Sequence, residues 1–169
     1  MNKFLFLLVV STLFNFGFVQ STYGNITVNT TTDDFEGTTT KAFLAFDSKD
    51  ADSALVFWCN ESGTVKQLKF FLGGEYLNSG DVDTLELRID GSDILTTTAW
   101  YEDSDAYIYG YDPEYPSISN ENFYKIMNSQ NQVLARLHSY DDDTFNLTID
   151  TSQVSTALSS EGCSLSERP

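Results

Sequence analysis

The sequence contains a single histidine, His138, and two cysteines. With one His, no Ser in a nucleophile-elbow pattern and two cysteines that favour a disulfide, the chain offers no credible catalytic triad. Two Cys and one His are also too few ligands for a structural zinc site. It also has no glycine-rich phosphate loop and no dinucleotide-binding fingerprint. These absences argue against the common nucleophilic, zinc-dependent and nucleotide-dependent enzymes. We expect a protein that is not an enzyme, with no catalytic residues and no cofactor.

Positive charge is also scarce. Nine Lys and Arg residues stand against 25 Asp and Glu residues, which gives a net charge of −16. Such a chain repels nucleic acid and anionic lipid, so neither is an expected partner. The acidity would attract cationic proteins or divalent ions, or it only keeps the chain soluble. The expected partner is a protein or a glycan in the cell envelope or outside the cell.

The long apolar run of this chain lies at the N-terminus. Lys3 precedes an almost wholly apolar stretch over residues 4–18, and Val19, Gln20 and Ser21 offer acceptable cleavage positions. This layout predicts a secretory signal peptide over residues 1–21. The alternative is an N-terminal membrane anchor, for which the run is short. We therefore expect an exported protein, periplasmic or secreted, with no stable membrane insertion after cleavage.

A second, shorter apolar run predicts the central strand of the fold. Residues 54–59, with the sequence ALVFWC, end in Cys59 and are followed at once by a polar turn. A short run rich in branched and aromatic side chains predicts a strand that is covered on both faces. In an exported chain two cysteines favour a disulfide, and Cys163 is the other cysteine. We predict that Cys59 and Cys163 are bonded.

The remaining pattern alternates between strands and turns. Over residues 83–90, Leu85, Leu87 and Ile89 alternate with charged residues, which is typical of a half-buried strand. Short helices are predicted over residues 117–128 and just before Gly162. The fold class is thus mainly β (α+β), an antiparallel β-sandwich or sheet with two short helices and one disulfide. Residues 41–165 are predicted to form a single β-rich domain, preceded by residues 22–40 as a polar linker or an edge strand.

Acidic side chains crowd three predicted loops, at residues 47–52, 102–105 and 141–143. Oxygen ligands converging from loops suit calcium, whereas solvated turns have the same composition. None of the loops has the spacing of a twelve-residue calcium loop. We predict no metal site and retain Asp47, Asp50 and Asp52 as weak calcium candidates.

Arg88 lies between Glu86 and Asp90 on the polar face of one predicted strand. One interpretation is a weak surface ion pair. The other is a structural polar cluster in which Glu86 or Asp90 holds the guanidinium rigidly, under a loop or facing a ligand. The sequence leaves both interpretations open, and we expect the carboxylates to hold Arg88.

Aromatic residues are concentrated on two neighbouring predicted strands. Trp100, Tyr107, Tyr109 and Tyr111 form a possible binding face, although aromatic residues on strands also serve as core or cross-strand pairs. Asn-x-Ser/Thr sites occur at Asn25, Asn29, Asn60 and Asn146, and they matter only if the host glycosylates exported proteins.

The order of these elements resembles an exported bacterial family associated with type VI secretion, the TagO/VasI group. The shared pattern runs from a strand ending in Cys, through an Arg-x-Asp strand, a Trp, a helix and two strands, to a short helix and a final Cys. The matching positions are residues 55–59, 87–91, Trp100, residues 123–127, 134–136 and 145–147, Ala157, Leu158 and Cys163. The resemblance covers residues 52–165, most of the predicted domain. It implies an accessory or binding role in the envelope and supplies no catalytic residues.

Three hypotheses about function follow. The first is a non-catalytic exported binding protein of the bacterial envelope, associated with type VI secretion. The second is a secreted acidic inhibitor of a cationic hydrolase such as lysozyme, which fits the charge, the size and the disulfide. The third is a calcium-dependent adhesin or glycan-binding module.

Overall fold

The protein is described from a computed structural model, which covers residues 17–33, 36–73, 77–109, 121–138 and 143–165. Within these residues the fold is mainly antiparallel β-sheet with two short helices, as predicted. The elements in chain order are β1 (Gly17–Tyr23), β2 (Ile26–Asp33), β3 (Thr38–Phe46), β4 (Ala54–Cys59), β5 (Thr64–Phe71), β6 (Asn78–Ile89), β7 (Leu95–Asp103), β8 (Asp105–Tyr109), α1 (Glu121–Met127), β9 (Gln132–His138), β10 (Thr144–Asp150), α2 (Val154–Ser160) and β11 (Ser164–Leu165).

All the strands join one sheet in the order β1-β2-β3-β4-β5-β8-β7-β6-β9-β10, and β11 pairs in parallel with β5. The sheet curls on itself, because β10 returns to the end of β3. Asp47, just after β3, bridges to Ile149, and the Ser48 N–H donates to the Thr148 carbonyl at 3.0 Å. The inner faces of the strands meet in one apolar core.

The predicted central strand is confirmed in its bounds and in its burial. Residues Ala54 to Phe57 are each no more than 5% exposed, and Trp58 is half-buried. Leu55, Phe57 and Cys59 face the shared core. Ala54, Val56 and Trp58 alternate with them and lie on the outer side of the sheet, which is where the aromatic residues described below are found.

The polar N-terminal segment is strand rather than linker. Residues 22–33 complete β1 and form β2, and Ile26 and Val28 are fully buried. The threonines of this segment are β-branched and suit an extended backbone. Strand β1 is the edge of the sheet and starts at Gly17, so residues 17–21 of the predicted signal peptide pair with β2 in the full-length chain.

The predicted disulfide is confirmed. Cys59 and Cys163 are joined with an S–S distance of 2.07 Å and lie 104 residues apart in sequence. Gly162 ends α2 with a φ of +71°, so the chain turns directly into Cys163, whose N–H donates to the Leu158 carbonyl at 2.8 Å. The bond therefore fixes α2 to the end of the central strand. No helix in the described part of the chain is long and apolar enough to cross a membrane.

Glu161 connects this disulfide to the N-terminal strands. Its carboxylate accepts hydrogen bonds from the Tyr23 hydroxyl at 2.7 Å, the Ser21 hydroxyl at 2.9 Å and the Lys41 ammonium at 2.9 Å. Lys41 also donates to the Glu161 carbonyl at 2.6 Å. The hydrogen bonds from Tyr23 and Lys41 lower the pKa of Glu161 to about 2. We call this contact the Glu161 clamp.

Candidate functional site

A row of side chains crosses the outer side of five strands. Leu44, Val56, Lys69, Tyr107 and Trp100 are successive register partners on β3, β4, β5, β8 and β7. They alternate with buried residues of the core, so their side chains lie on the opposite side of the sheet. Trp100 is 37% exposed. This row forms the middle of an outer surface that is rich in aromatic rings.

Lys69 lies at the centre of that surface. Its ammonium is 4.8 Å from the ring centre of Trp58 and 5.6 Å from those of Phe71 and Tyr107, all within cation–π range. It also pairs with Asp105 Oδ2 at 2.5 Å, and both side chains are about 15% exposed. We define the aromatic face as Trp58, Phe71, Trp100 and Tyr107 around Lys69.

The carboxylate of Asp105 is shared between two donors. Its Oδ2 accepts from Lys69 and from the Tyr107 hydroxyl, the latter at 2.9 Å. Its Oδ1 is buried and has no hydrogen-bond partner among the described residues. The positive charge of Lys69 is therefore neutralised within the face, which leaves the exposed surface largely aromatic.

The predicted aromatic binding face is found only in part. Trp100 and Tyr107 are cross-strand partners on the outer side of the sheet. Tyr109 ends β8 opposite Gln67, and Tyr111 lies outside the described residues. Trp58 and Phe71 belong to the face but were not predicted, because they reach it from strands that are distant in sequence.

The predicted cluster of Glu86, Arg88 and Asp90 needs correction. Glu86 pairs with Arg136 at 2.8 Å, since these residues are register partners on β6 and β9. The Asp90 carboxylate accepts hydrogen bonds from the loop before β9 and does not contact Arg88 in the described structure. Arg88 is exposed and makes no ion pair within the part of the chain that the structure describes. Alternation along one strand placed the three residues on one face but could not identify their cross-strand neighbours.

Asp90 has a local structural role instead. Its carboxylate accepts from the backbone N–H groups of residues 130, 131 and 132 at 2.8 to 3.0 Å and from the Ser129 hydroxyl at 2.7 Å. Burial opposes ionisation, but these hydrogen bonds outweigh it and lower the pKa of Asp90 to about 2. With a φ of +50°, Asp90 occupies a left-handed conformation that Asp tolerates better than most residues.

Of the three calcium candidates, Asp47 and Asp50 use their carboxylates in backbone and hydroxyl contacts, and Asp52 is exposed. Asp47 accepts from the N–H groups of Thr148, Lys49 and Asp50, which attaches the loop after β3 to β10. Asp50 accepts from the Ser53 hydroxyl at 2.6 Å, which lowers its pKa, and from the Asp52 N–H. Among the described residues no group of three or more His, Cys, Asp or Glu side chains could hold a metal ion.

The other two acidic loops do not converge on a site within the described residues. In the loop of residues 102–105, Asp105 forms an ion pair with Lys69 of the aromatic face, whereas Glu102 and Asp103 are exposed. In the third loop, Asp141 and Asp142 lie outside the described residues and Asp143 is exposed.

A second outer surface was not predicted at all. Lys49, Arg88 and Arg136 line one groove on the outer side of β6, β9 and β10. Arg136 lies mid-strand between Leu134 and His138, so the period-2 pattern already indicated its outward direction. Cations are scarce in this chain, so the position of each cation in the predicted strands is the sequence signal that could have indicated this surface.

No family model, curated protein or solved structure matches this chain. The resemblance to the TagO/VasI group therefore stays a prediction from the sequence.

Proposed function

We propose that this protein is a non-catalytic exported binding protein whose aromatic face contacts a protein partner. The observation that carries the proposal is the location of the two tryptophans of the chain. Trp58 and Trp100 both lie on the aromatic face, where Trp100 is exposed and the one cation, Lys69, is neutralised. Tryptophan and tyrosine are enriched among the residues that dominate protein–protein affinity.

The charge of the chain specifies the kind of partner. Glu102 is exposed beside Asp105 in the register of β7 and β8, so acids border the aromatic face. With a net charge of −16, association is favoured for a partner with a cationic surface, since complementary charge speeds encounter and suppresses wrong partners. The disulfide fits an oxidising compartment, where such a partner would be met.

Site-specific photo-crosslinking tests the proposal. A photoreactive phenylalanine analogue replaces Trp100 in one variant and Ser155, an exposed residue on α2, in a matched variant. Each is irradiated in periplasmic extract or culture supernatant of the producing organism. We expect a basic protein to be captured from position 100 alone. The purified partner should then bind the unmodified protein, and Trp100→Ala should weaken binding about tenfold or more.

The proposal is wrong if both positions capture the same proteins, because the contact is then not specific to the aromatic face. It is also wrong if the purified partner binds the Trp100→Ala variant as tightly as the original. A captured glycan chain instead of a protein would assign the face to glycan binding.

Inhibition of a cationic hydrolase is a second candidate, favoured by the net charge. An inhibitor should abolish lysozyme activity at a one-to-one ratio and at physiological salt. Inhibition that disappears when salt is raised to that level would reflect weak, screened attraction only. Association with type VI secretion rests on the resemblance alone, and secretion-system genes beside the gene for this protein would support it.

A further inference from the structure

Three cations converge on one groove of a strongly acidic protein. Lys49, Arg88 and Arg136 line a groove of about 430 Å³ on the outer side of β6, β9 and β10, and Glu86 is the one acid in its lining. The groove thus has the opposite sign to the chain, which carries a net charge of −16. A local reversal of charge concentrates anions at that point of the surface.

Arg136 is held in place by its neighbours in register. Glu86, Arg136 and Asn146 face one another across β6, β9 and β10. Arg136 Nη1 donates to Glu86 Oε2 at 2.8 Å, and Nε donates to Asn146 Oδ1 at 3.1 Å. These two contacts orient the planar guanidinium, and its other N–H groups remain for a ligand.

Arg88 and Lys49 add charge that is not neutralised within the site. Arg88 lies in the next register row, with Leu134 and Thr148, and Lys49 comes from the loop whose Ser48 N–H donates to the Thr148 carbonyl. Neither cation makes an ion pair among the described residues, and both are exposed. Two unpaired cations in a chain with 25 acids are available to an external anion.

The groove also offers apolar surface. Leu134 is half-buried between the arginines, and Ile94 is 54% exposed in the same lining. A volume of about 430 Å³ falls in the range of small-ligand pockets, which combine apolar lining with a few placed polar groups. The ligand that matches both parts carries an anionic head for the guanidinium groups and an apolar stem for Leu134 and Ile94.

We propose that this cationic groove, formed by Lys49, Arg88, Arg136, Leu134 and Ile94, binds an organic anion with an apolar stem. The head group is a carboxylate or a phosphate ester, both of which match the guanidinium fork. The site lies on different strands from the aromatic face and does not depend on the function proposed for that face.

NMR titration of the disulfide-bonded protein tests this proposal with octanoate and octyl phosphate as probes. We expect saturable shifts in the Arg88 and Arg136 Nε–H signals and in the amides of β9 and β10 at low-millimolar probe. The two probes separate the head groups, and binding of either one supports the site. Octyl glucoside, which has the same stem without charge, should produce no saturable shift there.

Two variants separate specific binding from overall charge. Arg88→Gln removes one groove cation and should weaken binding of the better probe about tenfold or more. Lys66→Gln removes the same charge at an exposed site on β5, outside the groove lining, and should leave binding unchanged. The proposal is overturned if neither anion shifts the groove signals, if octyl glucoside binds equally well, or if both variants weaken binding to the same extent.

Discussion

The aromatic face and the cationic groove lie on the outer side of one sheet. They differ in whether a neighbouring carboxylate neutralises their positive charge. On the aromatic face, Lys69 pairs with Asp105 at 2.5 Å and is surrounded by rings. In the groove, Arg88 and Lys49 have no ion pair among the described residues. With 25 acids for nine bases, the composition would allow every base a partner.

The difference separates cations that support the structure from cations that are available to bind. Lys69 is half-buried and its removal would leave a carboxylate without its counter-charge, so it belongs to the packing of the sheet. Arg88 is exposed, and its removal would leave no described acid unpaired. Removing a cation of the first kind should therefore lower the free energy of unfolding more than removing a cation of the second kind.

Loss of the disulfide should have the largest effect and should act on both surfaces together. Replacing Cys59→Ser and Cys163→Ser opens a loop with a sequence separation of 104 residues, and we expect the free energy of unfolding to fall by about 4 kcal/mol. Urea unfolding followed by tryptophan fluorescence reports the aromatic face, since both tryptophans lie there. Arg side-chain NMR signals report the groove.

The two probes should give the same urea midpoint before and after the substitution, because both surfaces lie on one sheet with one core. Separate urea midpoints would mean that the two surfaces unfold as different cooperative units, which would contradict this prediction.

The Glu161 clamp should have the next largest effect, and it depends on pH. Its folded pKa of about 2 lies below the ordinary value of 4.5, so the ionised form stabilises the fold above about pH 5, and this contribution is lost as the pH falls towards 2. The shift corresponds to at most about 3 kcal/mol. We expect Glu161→Gln to lower the free energy of unfolding at neutral pH and to flatten its acid dependence.

Glu121→Gln is the matched control for the clamp. Glu121 pairs with Lys125 on α1 with its side chain 64% exposed, so the substitution should change the free energy of unfolding by less than about 0.5 kcal/mol. Urea midpoints measured from pH 7 to acid pH compare the two variants. Equal pH profiles for the two variants would contradict the role given to Glu161.

Removing the neutralised cation of the aromatic face should have a smaller but clear effect. Lys69→Met keeps most of the apolar stem and leaves Asp105 without its cation, while Asp105 Oδ1 already lacks a partner among the described residues. We expect the free energy of unfolding to fall by about 2 kcal/mol, measured from urea midpoints. Asp105→Asn combined with Lys69→Met should recover part of the loss, because the buried charge is then absent.

The smallest effect is expected for Arg88→Met. Since Arg88 makes no ion pair in the described structure, the free energy of unfolding should change by less than about 0.5 kcal/mol. The sequence had favoured a larger loss, with Glu86 or Asp90 deprived of a counter-charge. Equal losses for Arg88→Met and Lys69→Met would remove the distinction between structural and available cations.

Local patterns were sufficient for much of the fold. The apolar run over residues 54–59 gave the observed bounds of β4, and the scarcity of cysteine identified the Cys59–Cys163 bond. The N-terminal strands were harder to predict because their threonines suit both strands and polar linkers. Their pairing depends on β3 and on contacts with Glu161, which is over 100 residues away.

Neither outer surface could be derived from local patterns. Alternation indicates which side of a strand a residue faces, but the neighbour of that residue depends on strand order. Strand β5 lies beside β8 rather than β6, which brings Lys69 to Tyr107. Likewise, β9 lies between β6 and β10. Glu86 is therefore the register partner of Arg136 and forms an ion pair with it, whereas Arg88 lies opposite Leu134.

The Cys59–Cys163 bond also determines what proteolysis can remove from this protein. Every peptide bond between the two cysteines lies inside the closed loop, which carries β5 through α2. A protease that hydrolyses one of those bonds leaves two fragments that remain covalently joined, so a non-reducing gel would show an intact mass. A single cut before Cys59 has no such protection. Strands β1 to β3, together with the two-residue β11 after Cys163, are therefore the parts of the sheet that one cleavage can release.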